Sequence, residues 1–282
     1  MSTNTFAWPH EAKCAAMVTF NLDAGLFLPA RHPGAKLAGT GVGNVVNTSY
    51  ALRTRRLLDV IEARGIRATF FVPGSVAKER APLVAEIASR GHEIAVRGWA
   101  AENLALLPLS EQKTLLERSV AAVAEAAGAA PKGFRAPDGE LTRETLKLAR
   151  ELGLTYSSSL CDDDRPYRLN LGGESIIEIP AHWAMSDLPY FVFNFWPPVP
   201  FGQDRIATFR KVLLNWQWEY DAFYDEGLCW VLQLDPYSAG ESGHAFVVER
   251  ILDHIIDKGG TWFVTGSEMT AFCQSRDDLP LR

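Results

Sequence analysis

Ala68-Thr69-Phe70-Phe71-Val72-Pro73-Gly74 and Gly91-His92-Glu93-Ile94-Ala95-Val96-Arg97-Gly98-Trp99-Ala100-Ala101 are two short apolar runs, separated by a stretch at 75–90 that reads as a helix. Each run has the length and composition of a strand, and glycine punctuates both ends of the intervening helix. A strand, a helix and a second strand in this order make a β-α-β unit, the connection that joins parallel strands.

The same grammar extends in both directions. Upstream lie a strand at 14–22 and a helix at 49–64 that stops at Gly65 before the strand at 67–72. Downstream come a helix at 110–127, a strand near 132–135 and a helix at 142–152, where Thr142 is a natural N-cap and Glu144 meets the positive helix end. A helix at 204–224, the very apolar strand 228–234, a helix at 245–258, a strand at 261–264 and a last helix from 267 complete the series. Only 156–202 breaks it, as an irregular, acidic and aromatic stretch. With no low-complexity linker or internal repeat, this predicts one α/β domain over 1–282, a parallel sheet covered by helices.

Composition narrows the partners. The 282 residues carry a formal net charge of −6, with 47% hydrophobic and 22% charged residues. Nucleic acid and anionic membranes both demand clustered basic charge, so neither is expected here. Residues 1–16 include Pro9, Glu11 and Lys13 and hold no apolar run of signal-peptide or membrane-span length, which predicts a cytoplasmic protein. Cys14, Cys161, Cys229 and Cys273 are scattered, without the close pairing of zinc knuckles or disulfide frameworks, and read as reduced, mostly buried thiols.

The two opening runs, together with Gly133-Phe134-Arg135-Ala136-Pro137, resemble the motifs of the polysaccharide deacetylase (NodB homology) family over about 19–272. The resemblance is strongest to an intracellular branch of peptidoglycan-deacetylase-like proteins, allantoinase-type enzymes and cyclic imidases. It implies a distorted, incomplete (β/α) barrel whose functional residues stand at the C-terminal ends of strands. Asn21, Asp23, Arg97, Arg135, Asp162 to Asp164 and Asp235 fall there. The Gly- and Pro-rich segment 26–47 lies on the same rim as a lid or subunit contact. The aromatic run from Tyr190 to Trp196 suits a subunit interface or a pocket wall, and the resemblance implies a homo-oligomer.

Against that family pattern the chemistry is altered. The branch reads Asp-x-Asp-Ala-Glu where this chain has Asn21-Leu22-Asp23-Ala24-Gly25, so Asn21 replaces the base and Asp23 survives as a ligand-type carboxylate. An amide takes no proton at neutral pH. Arg97 and Ala101 stand where the family supplies two metal-binding histidines, and a guanidinium repels a divalent ion. The late Leu-His-Pro segment becomes Leu234-Asp235-Pro236-Tyr237. Arg97 therefore reads either as a structural plug or as a fixed cation replacing the metal, flanked by Asp23 and Asp235. No metal and no cofactor are expected.

The candidate catalytic set is Asp23, Arg97, Asp235 and His182; the candidate substrate-binding set is Asn21, Arg135, Asp163, Tyr167, Trp183 and Tyr237. Arg135 keeps the family's Phe-Arg-Ala-Pro arginine, and two stretches resemble the branch: Asp162-Asp163-Asp164-Arg165-Pro166-Tyr167 and the His182-Trp183 segment with Asp187 downstream. The bland readings are a solvated turn for the aspartates, a wall residue for His182, an exposed helix start for His244 and structural duty for His92 and Glu93. Trp216 and Trp218 read as packing residues on different helix faces. Three functions remain open. The first is metal-independent hydrolysis of an amide, ureide or cyclic imide in a small polar molecule. The others are a silent homologue that binds a metabolite or partners an active subunit, and a zinc polysaccharide deacetylase.

Overall fold

The structure, a computed structural model, describes residues 6–26, 49–137, 140–191 and 207–282. The segment 27–47 and residues 192–196 of the aromatic run lie outside the described residues. Strand β1 (Cys14–Asn21) leads to α1 (Tyr50–Glu62), β2 (Thr69–Val72), α2 (Gly74–Glu79), α3 (Ala81–Ser89) and β3 (Glu93–Val96). There follow α4 (Leu109–Ala127), β4 (Gly133–Phe134), α5 (Arg143–Glu151), β5 (Tyr156–Ser157), β6 (Tyr167–Asn170), β7 (Ser175–Glu178) and α6 (Leu188–Phe191). The chain continues through α7 (Phe209–Glu226), β8 (Cys229–Leu234), α8 (Pro236–Ala239), α9 (Ser242–Lys258), β9 (Thr261–Phe263) and α10 (Gly266–Gln274). Among the described residues no helix is long and apolar enough to cross a membrane.

All strands join one sheet in the order β6-β7-β5-β4-β3-β2-β1-β8, with β9 also on β1. Every pairing is parallel except β6 with β7. The end strands β6 and β8 do not pair, so the barrel is incomplete, as the sequence resemblance implies. Irregular chain spans the gap instead. The Asp164 carbonyl accepts from Cys229 N at 3.1 Å at the start of β8, and Asp187 N donates to Gln233 O at 3.1 Å near its end.

Two elements depart from the sequence expectation. The helix at 75–90 is broken at Arg80 (φ −125°, ψ 33°) into α2 and α3, because Pro82 in the first turn of α3 cannot supply an interior N–H. The stretch 156–202 is not wholly irregular, since it contains β5, the β6–β7 hairpin and α6. Gly172 and Gly173, both at positive φ (88° and 113°), make the tight turn that the hairpin requires. Of the two α7 tryptophans, Trp216 packs in the core while Trp218 stands in solvent and has no packing role.

Alternation along the strands sorts their side chains into two layers. Ala16, Val18, Phe20, Phe70, Val72, Ile94, Val96, Phe134, Leu232 and Leu234 pack outward against the helices. Ala15, Met17, Phe71, Ala95, Tyr156 and Val231 fill the interior. A period of two then assigns the interior to Thr19, Asn21, Arg97, Arg135 and Asp235. The register puts Phe20, Leu234, Phe70 and Ile94 on one level and Val72, Val96 and Phe134 two residues further along, so Asn21 and Asp235 lie one side-chain repeat below Arg97 and Arg135 at the C-terminal end of the interior.

Below that rim Tyr156 crosses the interior and donates to Glu93 Oε1 at 3.0 Å. Its ring lies against two glycines, and a Cβ at Gly133 would sit 2.0 Å from Tyr156 Cζ, while one at Gly266 would sit 2.2 Å from its hydroxyl. Overpacking of a filled interior costs about 1–3 kcal/mol and more where neighbours cannot move. Gly133→Ala is therefore expected to lower stability by at least about 3 kcal/mol in urea unfolding; a change under about 1 kcal/mol would show that Tyr156 is free to shift.

Candidate active site

Asp23 stands at the rim because the chain reverses at once after β1. Ala24 and Gly25 both have positive φ (48° and 79°), and Leu26 N donates to Asp23 O at 2.9 Å. A non-glycine residue in that region is strained, and such strain persists where the surroundings over-determine the turn.

Arg97, next after β3, reaches Asp23 with a two-pronged grip. Nε donates to Oδ1 at 2.6 Å and Nη2 to Oδ2 at 3.1 Å. The carbonyls of Ala136 and Pro137 accept from Nη1 at 3.0 Å and Nη2 at 2.8 Å. Four of the five guanidinium protons are thus assigned, and Arg97 keeps only 8% of its surface exposed. Planar charge-assisted bonds of this kind are strong and directional.

Asp235 lies close enough to feel the charges of Asp23 and Arg97, but among the described residues it makes no hydrogen bond to Arg97. Its Oδ1 accepts from Tyr237 N at 2.7 Å, which caps α8, while Oδ2 is buried without a hydrogen-bond partner. Backbone carbonyls, not a second carboxylate, complete the shell of Arg97. Burial first, then the neighbouring charges of Asp23 and Asp187, push the Asp235 carboxyl well above the usual carboxylate range. Burial and neighbouring negative charge both favour the protonated form of Asp235.

Arg135, after β4, spans the interior. Nη1 donates to Thr19 Oγ1 at 2.9 Å and Asn21 Oδ1 at 3.1 Å, Nε to Ser158 O and Nη2 to Ser158 Oγ, each at 2.8 Å. Its guanidinium lies 4.0 Å over the Phe71 ring. Burial, reinforced by the positive charge of Arg97, pulls it down to about 9.

Three further polar groups were not singled out for the site from the sequence. Asp187, fully buried, accepts from Asp235 N at 3.0 Å and from the Ser238 hydroxyl, and burial pushes it up to about 7. Glu178 accepts from Ser159 N at 2.7 Å and Leu160 N at 2.8 Å, its other oxygen is buried without a partner, and burial likewise raises it to about 7. Tyr50 is buried and its phenol feels both Asp235 and Asp23. For Glu178 the signal was a lone acid inside Ile176-Ile177-Glu178-Ile179; for Tyr50 no local signal exists.

Other candidates lie apart from this cluster. Asp163 and Asp164 sit at the opening of β8, a strand length from Asp235, or roughly 17 Å at the usual rise. Asp163 pairs with Arg282, and the Tyr167 hydroxyl, buried in β6, donates to Asp162 at 2.9 Å. His182 turns its Nε2 to Asp164 Oδ1 and to Asp163 O, both at 2.9 Å, and not to Arg97. Trp183 is 79% exposed. Tyr237 stays near the cluster through Asp235, with Arg53 5.8 Å over its ring. His244 is not exposed as expected but stacks on Phe191 at 4.0 Å. His92 and Glu93 are structural, bonding to Glu62 and to the start of α10 respectively.

A divalent metal does not fit the donors present. The Arg97 guanidinium, a fixed positive charge against Asp23, repels a divalent ion, and Ala101 offers no lone pair. R97H/A101H would place two imidazoles beside a released Asp23, and stoichiometric zinc after dialysis is the expected result by elemental analysis; a double variant as metal-poor as the parent would refute the shared frame. A second expectation concerns pH. Asp187 binds its proton more tightly folded than unfolded, so its contribution is fully present below about pH 4 and lost as pH rises to about 7. Relative to the parent, Asp187→Asn should therefore gain in melting temperature between pH 4 and 8, and a pH-independent difference would contradict this.

The geometry has counterparts. A profile of the polysaccharide deacetylase family matches residues 43–157. The peptidoglycan deacetylase of Helicobacter pylori is 25% identical over 240 residues, covering 76% of this chain and 81% of that protein. A crystal structure from Mycobacterium smegmatis, provisionally assigned as a polysaccharide deacetylase, superposes with a TM-score of 0.89 at 30% identity, over 99% of this chain and 96% of the other. Puue allantoinase shares the fold at 17% identity and a TM-score of 0.81, over 97% and 94% of the two chains. With 30% identity and a superposition over nearly the full length of both chains, the incomplete barrel has a common source with the Mycobacterium smegmatis structure: the chain belongs to the polysaccharide deacetylase family of hydrolases.

Proposed function

We propose that this protein hydrolyses a non-peptide carbon–nitrogen bond, in an amide, ureide or cyclic imide of a small polar metabolite, without a bound metal ion. The observation that carries the reading is a pair of carboxyl groups in opposite surroundings. Asp23 is ion-paired to Arg97, whereas Asp235 is wholly buried, raised in proton affinity and one oxygen short of partners. Two carboxyl groups in such different surroundings, one in an ion pair and one buried, are suited to divide base and acid duty.

In this mechanism Asp23 takes a proton from water as its oxygen attacks the carbonyl carbon, and Asp235 gives its proton to the departing nitrogen. The carbon–oxygen bond forms and the carbon–nitrogen bond breaks with no net proton change at the two carboxyls taken together. Arg97 keeps Asp23 in place through its two-pronged grip. The substrate class rests on the resemblance to the allantoinase and imidase branch.

A second reading, a silent homologue that binds a metabolite or partners an active subunit, is favoured by the number of Arg97 protons already taken. The test is to treat purified protein with EDTA and offer it succinimide, hydantoin, simple amides and N-acetylated chitin oligomers. Chelator-resistant ring opening or amide cleavage, reduced at least about 100-fold in Asp23→Asn and Asp235→Asn, is expected. Ligand-dependent thermal stabilisation without turnover supports the silent homologue, and zinc-dependent acetate release supports a polysaccharide deacetylase; either overturns the proposal.

A further inference from the structure

We infer that Asn21 is the hydrogen-bond donor for the oxygen that becomes anionic in the reaction, its Nδ2 amide binding the carbonyl of the group being cleaved. The inference rests on the hydrolase reading above and deepens it, because a position that reads as a lost base becomes a catalytic residue of a different kind.

The orientation of the Asn21 amide is settled by its neighbour. A guanidinium only donates, so the atom 3.1 Å from Arg135 Nη1 must be the side-chain oxygen, and the NH2 group must face the other way. The second acceptor on Nη1 is equally determined. Thr19 gives its own hydroxyl proton to Leu232 O at 2.7 Å, which leaves a lone pair for Arg135 at 2.9 Å. With Ser158 taking Nε and Nη2, Arg135 has no freedom to turn away. Among the described residues nothing accepts from Asn21 Nδ2, and that atom is not one of the buried unpartnered ones. It stands at the end of β1, two residues before Asp23.

Charge points the same way. Arg135 is 3% exposed, and its hydrogen-bond acceptors, Thr19, Asn21 and Ser158, are all neutral. An aspartate at position 21 would have neutralised it. With asparagine there, the cation polarises the amide and leaves a positive field at the rim, where Arg97 is already balanced by Asp23. When water adds to the carbonyl carbon, the C=O electron pair moves onto oxygen, and that oxygen supplies the missing negative charge. Collapse of the intermediate reforms the carbonyl as the nitrogen leaves with the proton of Asp235. A preorganised amide donor in a nearly water-free site suits this duty.

The experiment uses EDTA-treated protein with succinimide and hydantoin as probes. Asn21→Ala should lower kcat about 100- to 1000-fold with KM little changed. Asn21→Asp, which fits the same space and pairs with Arg135, should lose as much while melting no lower than the parent. Activity in Asn21→Asp equal to or above the parent would overturn the inference and mark the position as a replaced base. Should the parent cleave neither probe, the hydrolase reading fails separately, and the donor is then read by nitrogen NMR. Sodium acetate should shift the Asn21 side-chain amide saturably, that signal being identified by its loss in Asn21→Asp; an unmoved signal overturns the inference.

Discussion

A guanidinium enclosed at the rim of a barrel must find oxygen for nearly every proton it carries, and Arg97 meets that demand by closing on Asp23 and drawing in two backbone carbonyls. Losing one member of such a pair costs about 3–5 kcal/mol because the other is left as an unpaired charge. The consequence reaches past the pair. The loop carrying Ala136 and Pro137 is tied to β3, and the strained Asp23–Leu26 turn is tied to both. A metal ion would gather side chains around itself; here one long side chain performs the gathering, and the carboxylate that a metal would have used is its anchor.

The remaining charges are arranged around this neutral pair. Arg135 lies deeper, a cation among hydroxyls and an amide, while Asp235, Asp187 and Glu178 are carboxyls held toward their protonated forms by burial. In water these groups would all be charged. In the barrel interior the cost of desolvating an anion exceeds what distant cations return, so the acids bind their protons more tightly than in water, while Arg135 is held by four hydrogen bonds and an aromatic face.

Physical causes also explain what lies elsewhere. The acidic loop at 162–164 belongs to the opening end of β8, where Asp164 replaces a missing strand partner and Arg282 answers Asp163. The loop takes part in closing the barrel. The His182 ring follows that loop, while its carbonyl accepts from Gln233 Nε2 near the end of β8.

The sequence alone determined the alternation of strands and helices outside 156–202 and which polar residues stand at or just past strand ends, because glycine punctuation and apolar spacing are local properties; the break at Arg80 and the β6–β7 hairpin it did not show. It placed Asn21, Asp23, Arg97, Arg135 and Asp235 at strand ends, and the interior layer follows from the period of two. Tertiary structure alone decided which of those neighbours touch. Asp23 and Asp235 are the same residue type near strand ends, yet one side chain is gripped by a guanidinium and the other accepts a backbone N–H. The curl of the sheet and the path of the chain across the gap between β6 and β8 set that difference, and both arise from contacts between residues distant in the chain, such as Asp164 with Cys229 and Asp187 with Gln233, which no local pattern encodes.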